Sequence, residues 1–315
     1  MRIHFEKCRL CPRNCEVNRF NSATGYCGES SLLKIADIEA HFGEEPPISG
    51  KNGSGTVFFS GCSLKCLYCQ NYQISSLQLG SPYDVSQVVT QLEKLTNKYH
   101  LHNINFVTPD HFIPYTIEIV DELKRIGIKI PIVYNFSGYQ KVDSLKMIEQ
   151  SADIYLPDFK YADEVLAERL SKAPNYPDVS LNALSEMIHQ KGFLKSKYDE
   201  RSGVEVATKG VLVRHLILPG ETKNSIDALT LLFCEFGENL PISVMSQYHP
   251  IPTCPLPELN RQLSIEEFDL VYEHARSLGF KTMYVQFPRD DKFCEHLDFM
   301  PDFTRTNPFP GNTCD

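Results

Sequence analysis

The sequence predicts an α/β fold, an open TIM-like (β/α)6 partial barrel with a small Cys-rich metal-binding segment in front of it. From Thr56 onward, short apolar runs of strand length alternate with longer stretches of helical periodicity. That is the pattern of a parallel sheet under helical cover. Six such units suit an open barrel better than a closed eightfold one. Seven of the eleven cysteines stand in two tight groups ending at Cys69, a spacing that favours metal ligation over disulfides.

Residues 1–30 are Cys-rich and lack regular periodicity. Residues 40–55 are dense in turn formers and read as a loop, with Glu45-Pro46 exposed in it. The first strand is Thr56–Ser60, closed by Gly61 and Cys62. Residues 84–99 place Val85, Val88, Val89, Leu92, Leu95 and Tyr99 at helical spacing. Ile104–Thr108 is a strand, and 114–126 an amphipathic helix stopped by Gly127. Further strands at Ile130–Asn135, Asp153–Leu156, Val211–Leu218 and Ile242–Met245 are followed by helices over 142–150, from 162, over 224–236 and over 264–277. Thr282–Val285 is a last strand. The polar stretch 193–209 reads as an exposed insertion, and Cys234 as a core residue of its helix. Cys254, Cys294 and Cys314 read as isolated thiols. The expected organisation is a Cys-rich segment and loop over 1–50, the partial barrel over 51–290 and a tail over 291–315.

The net charge of −9 comes without any run of Lys or Arg, so the basic stripe of a nucleic-acid-binding protein is missing. No stretch of about 20 apolar residues offers a membrane span. The opening Met-Arg-Ile-His-Phe-Glu-Lys-Cys has no apolar core of a signal peptide. An odd cysteine count in clusters points to a reducing, cytoplasmic setting.

Cys62-Ser-Leu-Lys-Cys66-Leu-Tyr-Cys69 has the spacing C-x3-C-x2-C. Three thiolates within eight residues can wrap one iron–sulfur centre, which normally takes four, and so leave one metal position open to an external ligand. Structural zinc wants four protein ligands, so a zinc site here needs a fourth, distant cysteine. The strand ends, where parallel α/β barrels bind ligands, are unusually polar: Thr108-Pro-Asp110-His111, Tyr134-Asn135-Phe-Ser137-Gly138, Pro157-Asp158-Phe-Lys160 and Gln247-Tyr-His249. Alternation puts Asn135 with Ser137 and Asp158 with Lys160 on shared faces. Arg214 interrupts an apolar strand on the face of Leu212, Leu216 and Leu218, and a buried Arg needs a partner such as the Asp158 carboxylate.

The three-cysteine motif resembles that of the radical S-adenosylmethionine (radical SAM) superfamily. Gly61 before the first cysteine and the aromatic Tyr68 before the third strengthen the likeness. Six segments tighten it: Gly43-Glu-Glu-Pro-Pro-Ile-Ser-Gly50, Val107-Thr-Pro-Asp-His111, Val133-Tyr-Asn-Phe-Ser-Gly-Tyr139, Tyr155-Leu-Pro-Asp-Phe-Lys-Tyr161, Arg214-His-Leu-Ile-Leu-Pro219 and Met245-Ser-Gln-Tyr248. Together they are similar to the pyruvate formate-lyase-activating-enzyme-like subgroup. The resemblance implies a [4Fe–4S] cluster on Cys62, Cys66 and Cys69. It implies S-adenosyl-L-methionine against Tyr68, Asn135, Ser137, Gly138, Asp158, Lys160, Arg214 and His249, and hydrogen abstraction by a 5′-deoxyadenosyl radical. The named reaction of that group acts on a protein glycine, with a flavodoxin or ferredoxin as reductant. The chain departs from the pattern after the second strand, where many activases carry Gly-Gly-Glu-Pro; Thr108 or Asp110 stands in for that element here. Other readings are radical modification of another peptide or small molecule, and a non-catalytic iron–sulfur or zinc scaffold. Cys8, Cys11, Cys15 and Cys27 form C-x2-C-x3-C-x11-C, four thiolates that suit zinc or an auxiliary cluster.

Overall fold

In the computed structural model, described over residues 2–288 and 300–309, the strands are β1 Lys34–His41, β2 Ser54–Phe59, β3 Ser81–Pro82, β4 Asn103–Val107, β5 Ile132–Phe136, β6 Ile154–Pro157, β7 Lys195–Asp199, β8 Val204–Val211, β9 Val213–Leu216, β10 Ile242–Met245 and β11 Met283–Gln286. The helices are α1 Pro46–Ser49, α2 Tyr72–Ser75, α3 Val85–Tyr99, α4 Ile113–Arg125, α5 Val142–Met147, α6 Glu164–Ser171, α7 Tyr176–Lys191, α8 Thr222–Phe236 and α9 Ile265–Leu278.

One sheet runs β3-β1-β2-β4-β5-β6-β8-β7 and a second β11-β10-β9. A parallel bridge between Asp158 and Arg214 joins them. The order β2-β4-β5-β6-β9-β10-β11 is therefore one curved parallel array, the expected open barrel. Strand pleat decides what each face carries. Ile132, Tyr134 and Phe136 of β5 belong to the outer core with Phe59, Phe106, Leu123, Leu184 and Leu232. Val133, Ile154, Leu156 and Leu212 form an inner cluster. Burying each of these large side chains contributes roughly 1.5–3 kcal/mol. Helix starts are set locally: Asp84 with Gln87 and Ser264 with Glu267 close capping boxes on α3 and α9.

Three expectations are corrected. Residues 40–55 are not an outer loop. β1 pairs antiparallel with β2, and the connection between them turns into the barrel. Ile48 is fully buried in the inner cluster, Asn103 Nδ2 donates to Ile48 O at 2.7 Å, and Glu45 is buried rather than exposed. The turn-forming residues serve an inward fold: Gly50 has φ +51°, and a Cβ there would stand 2.6 Å from the His102 ring. The stretch 193–209 is largely the β7–β8 hairpin. β7 is mostly exposed, but β8 buries Val206, Ala207 and Val211 and pairs with β6. Cys234 lies on the outer face of α8, exposed, because Leu229 and Leu232 take the buried stripe. Cys294 and Cys314 lie outside the described residues. Among the described residues no helix is long and apolar enough to cross a membrane.

Candidate functional site

β2 delivers the chain to the cysteine loop. Gly61 sits at φ +80°, and a Cβ on it would meet Cys27 O at 2.8 Å, so this turn needs glycine. The loop then closes on itself, with Cys69 N–H on Cys66 O at 3.2 Å and Tyr72 N–H on Cys69 O at 2.9 Å. Leu64 N–H donates to Cys62 Sγ at 3.3 Å, and Ser75 O–H to Cys69 Sγ at 3.3 Å. Burial pushes the Cys62 thiol up, and pushes Cys69 up to about 11. The two donors act the other way, because a hydrogen bond to sulfur favours the thiolate. All three cysteines are free and line one cavity of about 280 Å³.

The facing wall is made of strand ends. Arg214 Nε donates to Asp158 Oδ1 at 2.9 Å, Nη1 to Glu44 Oε2 at 3.0 Å and Nη2 to Asn135 Oδ1 at 2.7 Å. Lys160 Nζ donates to Asp158 Oδ2. Glu44 Oε1 accepts from Asn105 Nδ2 at 2.9 Å and Asn135 Nδ2 at 3.1 Å. Burial by itself would raise the Asp158 carboxyl; Arg214 and Lys160 overcome it and hold the group below the usual carboxylate range. The same ion pairs raise Arg214 and Lys160 against a burial effect that would lower them. The wall therefore carries two carboxylates balanced by two cations. Glu45, behind it, is pushed up by burial.

Of the residues read from sequence, Cys62, Cys66, Cys69, Tyr68, Thr108, Asn135, Ser137, Asp158, Lys160 and Arg214 line this cavity. Thr108 adopts φ +55°, unusual for a β-branched residue. The Ser137 hydroxyl is buried and has no partner among the described residues. Tyr68 receives a hydrogen bond from Tyr161 O–H at 2.8 Å. Three residues stand elsewhere. Asp110 is buried behind the wall, where Gln140 Nε2 donates to it and burial raises its carboxyl to about 6. His249 follows β10 and is not among the lining residues. Gly138 shapes the turn: it has φ +84°, and a Cβ would stand 2.0 Å from Asp158 O and 2.3 Å from the Tyr176 hydroxyl. That hydroxyl accepts Lys160 N–H at 2.9 Å and lies 2.8 Å from Ser137 O, so it ties the ends of β5 and β6 together. Gly138→Ala is expected to cost at least about 2 kcal/mol, since a left-handed backbone alone costs roughly 1–2 kcal/mol before the clash. An unchanged urea midpoint would show that the turn yields.

Sequence reasoning missed Glu44, His41, Gln70 and Met245 on the cavity wall, and Pro301 and Phe309 across it, while Gln247, read only as part of a polar strand end, lines it as well. Glu44 had a signal: a buried Arg214 demands carboxylates, and Glu44-Glu45 offers two. Phe309 stacks on Phe58 at 5.3 Å between ring centres, and no sequence period announces such a tail contact.

His215, beside Arg214, is buried with Nδ1 2.6 Å from Phe159 O and Nε2 without a partner among the described residues. The neutral ring suits that setting, with Nδ1–H donating to the carbonyl, and burial lowers its pKa to about 4. The unfolded chain takes up the proton near pH 6.5, the folded one near 4. The stabilisation is therefore complete above about pH 6.5 and is lost as pH falls toward 4, about 3 kcal/mol in all. Asp110, raised by burial, acts in the opposite sense. NMR of the His215 ring is expected to show no protonation above pH 5; titration near 6.5 would contradict the burial.

The four amino-terminal cysteines lie together beside the cysteine loop, where Cys62 N–H meets Cys27 O at 3.4 Å. Among the described residues no three His, Cys, Asp or Glu side chains are arranged to hold a metal ion as they stand. This holds for the triplet and the amino-terminal set alike. A larger, shallower hollow of about 670 Å³ lies near α7, lined by Asn14, Asn175, Glu186 and His189 among others. It contains no thiol and none of the charge network, so the smaller cavity is the candidate site.

A family model described as the Radical SAM superfamily matches residues 56–232. An uncharacterized protein of Methanocaldococcus jannaschii is 28% identical over 292 residues, 89% of this chain and 77% of its own. Among solved structures, SuiB of Streptococcus suis bound to S-adenosylmethionine is similar with 10% identity and a TM-score of 0.48, over 76% of this chain and 51% of its own. HydG, a maturase of the [FeFe]-hydrogenase, has 18% identity and a TM-score of 0.49, over 74% and 51%. A domain of pyruvate-formate lyase-activating enzyme from Bacteroides vulgatus has 13% identity and a TM-score of 0.38, over 55% and 92%. The chain spans about half the length of the SuiB and HydG chains it matches.

Proposed function

We propose, for a chain that belongs to the radical SAM superfamily, that Cys62, Cys66 and Cys69 hold a [4Fe–4S] cluster and that the cavity beside them takes S-adenosylmethionine. The observation that carries this is the convergence of three free thiols and a balanced charge wall on one cavity. The donor set fits: three sulfurs, two of them already receiving hydrogen bonds, and a buried Ser137 hydroxyl without a partner among the described residues. Bound there, the cluster and S-adenosylmethionine supply one-electron cleavage to methionine and a 5′-deoxyadenosyl radical that takes a hydrogen atom from substrate. The chain's own residues bind, orient and exclude water. Lys160 and Arg214 offer cations toward a carboxylate. Asn135 and Ser137 offer polar contacts to a sugar, and Phe58, Tyr68 and Phe309 wall the cavity.

The finer reading is activase-like chemistry on a glycine of a partner protein, with a flavodoxin or ferredoxin as reductant, in the pyruvate formate-lyase-activating-enzyme-like subgroup. The six segments quoted above support it. The altered element at Val107–His111 favours a second reading, the same chemistry on another peptide or a small molecule. Asp110 faces Gln140 rather than the cavity, while Glu44 supplies a carboxylate to the wall. A reducing compartment suits both readings.

The test is anaerobic reconstitution with iron and sulfide, reduction, and chromatographic assay of 5′-deoxyadenosine. Formation that depends on all three cysteines is expected. No product from protein with a verified, reducible cluster, with and without candidate partners, would leave a scaffold role in its place.

A further inference from the structure

Beyond the radical chemistry, we propose that Cys8, Cys11, Cys15 and Cys27 form a second metal site, a tetrathiolate for one thiophilic divalent ion, zinc or iron. The four residues are brought together by a knuckle. Cys8 N–H bonds to Val17 O at 3.0 Å, Glu16 N–H to Cys8 O at 2.9 Å and Asn14 N–H to Cys11 O at 3.1 Å. Asn14 and Glu16 adopt left-handed backbone to make the reversal. One point beside Gly25 lies 3.4 Å from Cys15 Sγ and 3.7 Å from Cys27 Sγ. Cys11 is close enough to Cys15 and Cys27, and Cys27 to Cys8, for the charge on one to act on the next. Rotation about χ1, the ordinary freedom of a cysteine, is what closing the set around an ion requires.

Backbone and side-chain donors already point at the sulfurs. Tyr26 N–H donates to Cys15 Sγ at 3.2 Å, and Arg19 Nη1 donates to Cys8 Sγ at 3.8 Å. Such donors stabilise bound thiolates.

The independent observation is Arg19. Its side chain is fully buried. It donates to Ser30 O and to His111 O, both at 2.6 Å, and reaches Cys8 Sγ at 3.8 Å. Its guanidinium lies over Phe5 at 4.4 Å. Among the described residues no carboxylate forms a contact ion pair with it, although the buried Glu29 lies within range of its charge. A buried cation without a contacting anion is costly. Four thiolates around a divalent ion carry net charge −2 and would supply that anion.

The site also holds the cluster loop. Arg13, between the second and third cysteines, donates to Ser63 O at 2.8 Å, and Cys27 O receives Cys62 N–H.

The test uses the full-length Cys62→Ser, Cys66→Ser, Cys69→Ser chain, which lacks the cluster ligands, so its outcome is independent of the radical reading. Anaerobic titration with Co2+ is expected to give one ion per chain with the intense absorption of tetrahedral sulfur coordination, displaced by Zn2+. Cys15→Ser, at the least buried of the four, is expected to weaken Co2+ at least tenfold and leave three sulfurs by X-ray absorption. Metal analysis of protein as expressed then names zinc or iron. If the triple variant does not fold, the reconstituted parent chain serves: it should carry one metal beyond the cluster's irons, and Cys15→Ser should lose that one alone. No stoichiometric Co2+, unchanged affinity in Cys15→Ser, or disulfides among the four would overturn the proposal.

Discussion

Replacing Cys66 with Ala is expected to abolish formation of 5′-deoxyadenosine while leaving the chain folded. Cys66 is part-buried on the cavity wall, and its backbone carbonyl keeps its bond to Cys69 N–H, so the loop retains its shape. Two thiols cannot hold the cluster in its catalytic form. The loss should be on the order of 10³-fold or more, which corresponds to about 4 kcal/mol of lost transition-state stabilisation. Cluster absorbance and the chromatographic assay read it together. Cys234→Ala, on the outer face of α8, is the matched control and should behave as the parent. Cleavage retained in Cys66→Ala would remove this loop from the site.

The second large effect is on stability. Arg214→Met is expected to cost about 3–5 kcal/mol, because it leaves two buried carboxylates without their shared cation. Glu44 and Asp158 are each only 10–15% exposed. Urea unfolding of the single variant measures the cost. Adding Glu44→Gln removes one of the stranded charges, so the double variant should recover part of the loss, a coupling that a double-mutant cycle isolates. Strict additivity would mean that the 3.0 Å contact between Glu44 and Arg214 carries no energy.

Most of the barrel was legible because each strand is a short apolar run closed by a turn and each helix an amphipathic stretch. The strand at Ile242–Met245 has the same limits in sequence and structure. Asn135, Ser137 and Asp158 were legible from the polarity of the strand ends, pleat parity and the resemblance together, and the pairing of Arg214 with Asp158 from the cost of burying a lone guanidinium. β1 was not, since Lys34-Ile-Ala-Asp-Ile-Glu-Ala-His41 is half polar and only Ile35 is buried in it. The inward course of residues 43–50 was also hidden. Its prolines and glycines read the same whether a turn faces water or a cavity, and only the partners across the barrel decide between them. Asp110 was placed toward the ligand as a stand-in for the Gly-Gly-Glu-Pro element of the resembled subgroup; the 3₁₀ turn over Asp110–Phe112 carries it instead to Gln140.

The connection between β1 and β2 links two neighbouring antiparallel strands, a junction that usually needs only a few residues and accepts length changes freely. Here it spends its length reaching the interior, with Glu44 on the charge wall and Ile48 among the innermost apolar side chains. Its evolutionary and engineering behaviour should therefore follow that of core, not of surface. Insertions, tags or protease sites belong at the exposed β7–β8 tip near Glu200. The same changes between Gly43 and Gly50 would unseat the floor on which the ligand cavity rests.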